Sequence, residues 1–219
     1  QPLDYKLEKR FILTVTATDS GGKIDTATIN INITDANNFP PVFENAPYTA
    51  SMLEDAPIGT TVLIVTATDA DVGINAQITY SLSNDETSAG MSAAETFAIN
   101  PQTGAIFSKV LLDRETTSGY SLTVTAKDGG NPSHSETTIV EVSVLDVNDN
   151  KPEFHSPIYH ATISEDALIG TSVIQVSASD KDEEDNRLIK YMLSEKDVKD
   201  GSFIIDSSSG VIRTNRGLD

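Results

Sequence analysis

This sequence contains an internal repeat of about 110 residues. The segment at residues 35–41, DANNFPP, recurs 111 residues later as DVNDNKP at 146–152. The following residues return at the same spacing: Tyr48, Glu54, Gly59, Asp69, Asp71, Asn75 and Tyr80 correspond to Tyr159, Glu165, Gly170, Asp180, Asp182, Asn186 and Tyr191. Because one domain usually has about 100 to 150 residues, we expect this chain of 219 residues to hold more than one small domain.

The Asn-rich segments divide the sequence into three parts. We predict the C-terminal part of one module at residues 1–38, a complete module at 39–148 and the N-terminal part of a third module at 149–219. The first and last modules are therefore expected to be incomplete. The start lacks the basic and apolar segments of a signal peptide, so we expect an internal piece of a longer protein.

Alternation of apolar and polar residues predicts antiparallel β-strands. In residues 11–18, FILTVTAT, the odd-numbered positions are all apolar, and similar alternation recurs at 27–34, 120–126 and 140–144. Turn-forming residues separate such segments at 20–22, 129–132 and 208–210, and no long stripe of helical period occurs. The pattern indicates an all-β module, a β-sandwich of immunoglobulin-like size. The absence of Cys and Trp argues against a true immunoglobulin domain.

The charge balance excludes several classes of partner. The sequence has 15 Lys and Arg against 33 Asp and Glu, a formal net charge of −18. Such a surplus repels phosphate backbones and anionic lipids, so cations are better partners than nucleic acids or membrane surfaces. With no cysteine, neither a disulfide framework nor thiolate chemistry is available.

Acidic residues recur at strand ends and at the module junctions. The set comprises Glu54, Asp113, Glu115, Asp146, Asp149, Asp180 and Asp182. Solvation explains any single one of them, but seven carboxylates that converge at one junction repel each other strongly. Asn148 and Asn150 add neutral oxygens. Because Ca²⁺ takes six to eight oxygen ligands and Mg²⁺ keeps most of its water, the set predicts calcium sites.

These residues resemble the motifs of cadherin extracellular repeats. The matching motifs are Leu53-Glu54-Asp55, the D-R-E motif Asp113-Arg114-Glu115, the D-x-N-D-N linker at 146–150, the D-x-D motifs at 69–71 and 180–182, and Asp128 at the end of the sixth strand. The resemblance implies tandem seven-stranded Greek-key β-sandwiches with three Ca²⁺ ions in each complete linker. An invertebrate neural cadherin or a Fat or Dachsous type is the expected kind of ectodomain.

The resemblance also implies a function. The chain would be a rod-forming segment from the extracellular part of a plasma-membrane protein, rigidified by calcium at its junctions and used in cell–cell adhesion or recognition. Its partners would be calcium ions and another cadherin ectodomain, homophilic or heterophilic, with no nucleic acid and no small-molecule substrate. The alternative is a calcium-stabilised secreted enzyme or carbohydrate-binding β-sandwich. Ligands contributed by two successive modules favour the cadherin interpretation.

At the second junction the resemblance implies a nearly complete ligand set. The outermost ion would be held by Glu54, Asp113, Glu115 and Asp149. The second would be held by Glu54, Glu115, Asp146, the Val147 carbonyl, Asp149 and Asp182. The third would be held by Asn148, the Asn150 carbonyl, Asp180, Asp182 and the Asn186 carbonyl. One further ligand, an aspartate of the third module, is expected beyond Asp219.

The first junction departs from this pattern. Lys6 stands where the next module has Glu115, and Asn38 and Phe39 replace the residues that correspond to Asp149 and Asn150. A full set remains for the inner ion: Asn37, the Phe39 carbonyl, Asp69, Asp71, the Asn75 carbonyl and Asp128. We therefore predict a calcium-poor linker with one ion or none. Packing of Phe39 and the two prolines that follow is the alternative support, and Phe39 is equally well explained as an ordinary start-of-strand aromatic.

Other motifs carry less weight. Residues 19–21, DSG, have the form of an aspartic-protease loop, but they occupy the position of the turn at 128–130 and have no second copy, so no enzymatic activity is expected. His134, His155 and His160 lack the spacing of zinc ligands. Asn32 begins a glycosylation sequon on the polar face of its predicted strand.

Overall fold

The computed structural model describes residues 3–83, 93–194 and 201–218. Two compact units are present. The first comprises Gln1–Met52, Pro57–Leu111 and Gly119–Ser143, and the second comprises Leu53–Ala56, Leu112–Ser118 and Val144–Asp219. In the described residues, helix is confined to one 3₁₀ turn at Gly73–Ala76 and one α-helical turn, α1, at Ala93–Thr96.

The strands of the first unit begin with a hairpin and continue into a two-sheet sandwich. They are β1 (Arg10–Thr18), β2 (Ile24–Asn32), β3 (Val42–Phe43), β4 (Tyr48–Leu53), β5 (Thr61–Ile64), β6 (Ala67–Thr68), β7 (Thr79–Leu82), β8 (Phe97–Ile99), β9 (Ala105–Ser108), β10 (Gly119–Lys127) and β11 (Ser135–Leu145). The last residues of β4 and β11 belong to the second unit.

The hairpin confirms the first two predicted strands. β1 and β2 pair antiparallel, with Phe11 opposite Ile31 and Thr18 opposite Ile24. The Asp19 carboxylate closes the connecting turn, because its Oδ1 accepts hydrogen bonds from the backbone N–H groups of Gly21 at 2.9 Å and Lys23 at 2.8 Å. The D-S-G segment is therefore a structural turn.

Residues 48–145 form the predicted seven-stranded Greek-key sandwich. One sheet has the order β4-β11-β10-β7 and the other has the order β5-β9-β8, while β3 and β6 form a separate ladder. Period-two alternation places the buried side chains of these strands in one core, where Ile106, Leu122, Val124 and Val140 are fully buried. The Phe97 ring of β8 packs edge-on against Tyr120 of β10, so aromatic contact joins the two sheets.

The second unit has its own strands, and a tyrosine hydrogen bond of the first unit recurs in it. The strands are β12 (Glu153–Phe154), β13 (Ser172–Gln175), β14 (Ala178–Ser179), β15 (Phe203–Ile205) and β16 (Val211–Thr214). In the first unit the Tyr80 hydroxyl accepts a hydrogen bond from Ala67 N at 2.8 Å, and in the second the Tyr191 hydroxyl accepts one from Ala178 N at 2.9 Å. The sequence repeat is therefore also a repeat of tertiary contacts.

Gly104 is a position at which the fold requires glycine. Its φ is +71°, and a Cβ atom there would lie 2.2 Å from the backbone oxygen of Val65. Gly210 of the second unit has the same relation to Val176 O, at 2.3 Å. A tight backbone approach thus recurs in both repeats.

We predict that Gly104→Ala destabilises the chain much more than Gly59→Ala. Gly59 has a φ of +88°, and a Cβ atom there would meet no heavy atom within 4 Å, so its substitution costs only the left-handed strain of about 1 to 2 kcal/mol. Gly104→Ala adds a backbone displacement of about 1 to 3 kcal/mol. Urea unfolding of both variants measures the difference, and equal losses would contradict the steric argument.

Candidate metal centres

Two groups of carboxylates come together in the second unit. The first group is Glu54, Glu115 and Asp149, and the second is Glu115, Asp146 and Asp182; in each group one oxygen per residue lies within 4.8 Å of the others. Glu115 belongs to both groups. We call these two groups together the second centre. They bring together five of the seven carboxylates predicted at this junction.

Glu54 holds three chain segments of the second centre together. Its side chain is only 3% exposed. Its Oε2 accepts a hydrogen bond from Arg114 N at 2.7 Å, and its Oε1 accepts one from Val147 N at 2.8 Å. Its own backbone N–H donates to Leu145 O at 3.1 Å. Both carboxylate oxygens therefore have a fixed position beside Glu115 and Asp149.

The buried carboxylate of Asp182 indicates that the second centre suits a cation. It is 2% exposed, and its Oδ1 accepts hydrogen bonds from the backbone and side-chain nitrogens of Asn150 at 3.2 and 2.8 Å. Its Oδ2 is buried without a hydrogen-bond partner. A buried carboxylate oxygen without a partner is costly, and a hard cation compensates it. Every candidate ligand atom in the two groups is a carboxylate oxygen. Because Ca²⁺ prefers oxygen ligands, the second centre fits Ca²⁺.

The charges within the second centre are unevenly compensated. Partial desolvation and repulsion from Glu54, Asp182, Asp113 and Asp146 raise the pKa of Asp149. Desolvation also opposes ionisation of Asp146, but hydrogen bonds from Glu183 N, Asn186 Nδ2 and Arg114 outweigh it and lower the pKa of Asp146. The protein alone therefore compensates the negative charge of Asp149 less well than that of Asp146.

Arg114 contacts the second centre, which sequence reasoning did not predict. Its side chain is 7% exposed. Its Nε donates to Asp146 Oδ1 at 2.6 Å, its Nη1 to Glu183 Oε1 at 2.8 Å, and its Nη2 to Lys181 O at 3.0 Å and to Glu115 Oε1. Burial acts to lower its pKa, but the Asp146 and Glu115 carboxylates outweigh burial and leave the pKa raised. The sequence feature that could have indicated these contacts is the position of Arg114 between Asp113 and Glu115.

The remaining predicted ligands of this junction are arranged differently. The Asp113 carboxylate accepts hydrogen bonds from Thr116 N at 3.1 Å and Thr116 Oγ1 at 2.8 Å, and the Thr116 hydroxyl is the main cause of its lowered pKa. Asp180 Oδ1 accepts from Asp182 N at 3.0 Å. Among the described residues, Asp180 joins neither carboxylate group. The two groups contain ligands predicted for the outermost and second ions, and of the carboxylates predicted for the third ion they contain Asp182.

In the first unit, the predicted inner ligand set contains two oxygens without partners. Asn37 Nδ2 donates to Asp128 Oδ2 at 2.8 Å and to Pro132 O at 2.7 Å, but Asn37 Oδ1 is buried without a partner. Asp69 Oδ1 accepts from Asp71 N at 2.8 Å, and Asp69 Oδ2 is also buried without a partner. We call this set the first centre. Its two unpartnered oxygens are compatible with one bound cation.

Backbone groups already satisfy the other carboxylates of the first centre. Asp71 Oδ2 accepts from Asn38 N at 2.8 Å and from Phe39 N at 3.0 Å. Burial acts to raise the pKa of Asp128, but donors from Asn37, His134 and Gly130 outweigh it and leave the pKa lowered. The two predicted carbonyl ligands belong to Phe39, which follows Asn38, and to Asn75, which lies four residues after Asp71. The Asn75 side chain donates from Nδ2 to Asp35 Oδ2 at 3.0 Å.

Lys6 supplies a cation at the first junction. Its Nζ donates to Ala70 O at 2.7 Å and lies 5.7 Å from the centroid of the Phe39 ring. Ala70 corresponds in the repeat to Lys181, so equivalent carbonyls accept Lys6 in one unit and Arg114 in the other. In the part of the chain that the structure describes, no group of three acidic side chains comes together at this junction.

We predict that Asp149→Asn has opposite effects with and without calcium. In chelator it raises the melting temperature, because it removes a carboxylate whose ionised form is disfavoured by desolvation and by neighbouring negative charges. In millimolar calcium it lowers the melting temperature, because one ligand charge is lost. The control is Asp55→Asn, an exposed neighbour outside both carboxylate groups. Calorimetry in both buffers is the measurement, and equal behaviour of the two variants would contradict this role of Asp149.

Comparison with known proteins identifies relatives for the whole chain. A family model described as "Cadherin domain" matches residues 48–145 and 159–219. The Drosophila melanogaster protein "Protocadherin-like wing polarity protein stan" is 69% identical over 219 residues, which are 100% of this chain and 6% of that protein. "Cadherin EGF LAG seven-pass G-type receptor 1" of Mus musculus is 45% identical over 218 residues, which are 100% of this chain and 7% of that protein.

Solved structures give the same result. Mouse Cadherin-23 EC22-24 matches with a TM-score of 0.81 and 34% identity over 100% of this chain and 68% of that one. Protocadherin Gamma B2 domains 3–6 match with a TM-score of 0.74 and 28% identity over 100% and 54%. No described helix is long and apolar enough to cross a membrane.

Proposed function

Because this chain belongs to the cadherin family, we propose that it is a segment of the extracellular region of a plasma-membrane cadherin that acts in calcium-dependent cell–cell adhesion. Its two curated relatives named above carry the words protocadherin, cadherin and seven-pass receptor in their names. The chain spans only about 6 to 7% of their length, so the adhesive partner, another cadherin ectodomain, is part of this proposal. We also propose the repeat boundaries 1–38, 39–148 and 149–219.

The observation that carries the proposal is the second centre with its unpartnered Asp182 oxygen. Glu54, Glu115 and Asp149, with Asp113 nearby, would hold one calcium ion, and Glu115, Asp146 and Asp182 would hold another. Bound calcium would supply positive charge to carboxylates that repel each other. A third ion at Asn148, Asn150, Asp180 and Asn186, with the Val147 carbonyl as a further ligand of the second ion, remains a proposal from the motif alone.

The origin of the ligands explains why calcium would matter for adhesion. Glu54 and Glu115 belong to the repeat at 39–148, whereas Asp182 belongs to the next one. A cation bound by all of them ties the end of one repeat to the start of the following repeat. A secreted enzyme or carbohydrate-binding sandwich has no comparable need for such shared ligands, so family membership and ligand origin both favour adhesion.

We predict that calcium raises the melting temperature of the chain. With dissociation constants of about 10⁻⁴ to 10⁻³ M, usual for extracellular modules, about 5 mM calcium stabilises the folded state by about 1 to 2 kcal/mol per site. Calorimetry compares calcium, magnesium and chelator at one ionic strength, and magnesium should give the smaller increase. An unchanged melting temperature in calcium would refute the metal centre and, with it, the proposed function.

We further propose that the first junction is calcium-poor, with one ion at most. Lys6 brings a positive charge to Ala70 O and the Phe39 ring, where the second junction has the carboxylate Glu115. Asn37, Asp69, Asp71 and Asp128, with the Phe39 and Asn75 carbonyls, would hold the remaining ion. The two unpartnered oxygens of Asn37 and Asp69 support that single ion.

The triple variant Lys6→Glu, Asn38→Asp, Phe39→Asn tests this difference. Provided that the part of the first repeat before residue 1 is included and supplies its own acidic motif, we expect bound calcium to rise by about two ions per molecule, because carboxylates at positions 6 and 38 would each be shared by two ions. Lys6→Gln is the control, since it removes the cation without adding a ligand. Isothermal titration with elemental analysis gives the count. A wild-type first junction that already binds three ions would contradict the proposal.

A further inference from the structure

The guanidinium of Arg114 lies among the oxygen atoms that the proposed function assigns to calcium. It donates to Asp146 Oδ1 at 2.6 Å and to Glu115 Oε1, and both residues belong to one carboxylate group of the second centre. Glu115 belongs to the other group as well. One side chain therefore contacts ligands of both proposed ions.

These contacts oppose the binding of calcium by the same carboxylates. An arginine that donates to two carboxylates places its positive charge within a few ångströms of any cation bound by the same carboxylates, and like charges at that distance repel strongly where water is scarce. The guanidinium also uses the lone pairs that point towards its N–H groups. Arg114 and a cation at Glu115, Asp146 and Asp182 thus compete for the same ligands.

Arg114 neutralises only part of the negative charge of the group formed by Glu115, Asp146 and Asp182. Its partners account for Asp146 Oδ1 and one oxygen of Glu115, but Asp182 Oδ2 stays buried without a partner. The side chain reaches outward as well, because its Nη1 pairs with Glu183 Oε1 at 2.8 Å and the Glu183 side chain is 57% exposed. Glu183 is in neither carboxylate group, so Arg114 can keep an ionic partner near solvent when it leaves the group.

The first unit contains a comparable arrangement without the competition. Lys6 Nζ donates to Ala70 O, the carbonyl equivalent to Lys181 O. There the carboxylates that would attract outer ions are replaced by Lys6 itself and Asn38. The same backbone position thus accepts a side-chain cation in both repeats, and in the second that cation also donates to Asp146 and Glu115, which belong to the carboxylate groups.

We propose that Arg114 is a built-in counter-cation, which stabilises the second centre at low calcium and is displaced from Glu115 and Asp146 when calcium binds. The inference rests on the proposed function, because it concerns the same ligands. Arg114 sets the calcium concentration at which the junction responds, since each binding event must also break the ion pairs of its guanidinium. The side chain keeps the metal-free junction folded at the expense of calcium affinity.

Arg114→Gln separates this role from a general effect of charge. Its matched control is Lys181→Gln, which removes one positive charge next to the same acidic loop and leaves the Arg114 contacts intact. We expect Arg114→Gln to tighten calcium binding at least about tenfold and to lower the melting temperature in chelator. We expect Lys181→Gln to change the calcium affinity less than about threefold. Titration calorimetry and thermal melts give both readouts.

NMR of the wild-type arginine side chain provides the second test, which does not depend on the folding of a variant. In chelator the Nε–H resonance of Arg114 should exchange slowly with solvent, because it is buried and donates to Asp146. Addition of calcium should shift it and accelerate its exchange. Arg114→Gln assigns the resonance, and Arg114→Lys, which keeps the charge without the fork, should give an intermediate calcium affinity.

The outcomes distinguish the two proposals. Tighter binding by Arg114→Gln than by Lys181→Gln, with an Arg114 resonance that responds to calcium, supports the counter-cation. Calcium binding by the wild type with an unchanged Arg114 resonance, or equal affinities of the two glutamine variants, overturns this inference and leaves the proposed function standing. Absence of calcium binding by the wild type overturns both.

Discussion

Repulsion between carboxylates at the second centre is the interaction on which the behaviour of this chain depends. Glu54, buried and held by backbone N–H groups, cannot move away from Glu115 and Asp149. The neighbouring segments are joined through that same side chain, so the cost of bringing the charges together is part of the cost of folding this end of the sandwich. Positive charge, from a side chain or from a metal ion, determines how much of that cost remains.

The two junctions compensate the repulsion between their carboxylates in different ways. At the first, carboxylates are fewer, backbone N–H groups satisfy Asp71, and Lys6 provides a covalently attached positive charge. At the second, more carboxylates are present than Arg114 can pair with, and Glu115 is common to both groups. Because the two proposed ions share that residue, occupancy of one orders a ligand of the other, and their binding is expected to be cooperative.

Much of this arrangement could be predicted from the sequence, and the exceptions have a physical cause. The repeat and the strands such as β1 and β10 follow from spacing and alternation, which depend on the backbone. The convergence of Glu54, Glu115 and Asp149 is what the resemblance of their motifs to cadherin repeats implies. The role of Arg114 does not follow, because its long side chain has several torsions and its direction is decided by partners distant in sequence, such as Lys181 O. The hydrogen bond of Lys6 to Ala70 O joins residues 64 positions apart and was hidden for the same reason.

The contact of Lys6 with Ala70 O and Phe39 has an evolutionary consequence. A single substitution of Lys6 by an acid would remove this contact while Asn38 and Phe39 still lacked the side-chain oxygens of a full metal site, so the intermediate would have neither form of support. A substitution of Asn38 by Asp alone would add a carboxylate while Lys6 still donates to Ala70 O. Each single substitution at position 6 or 38 is thus expected to destabilise the junction, although the combined substitutions would be tolerated. Conversion of this junction into a full metal site is therefore expected to require several substitutions together.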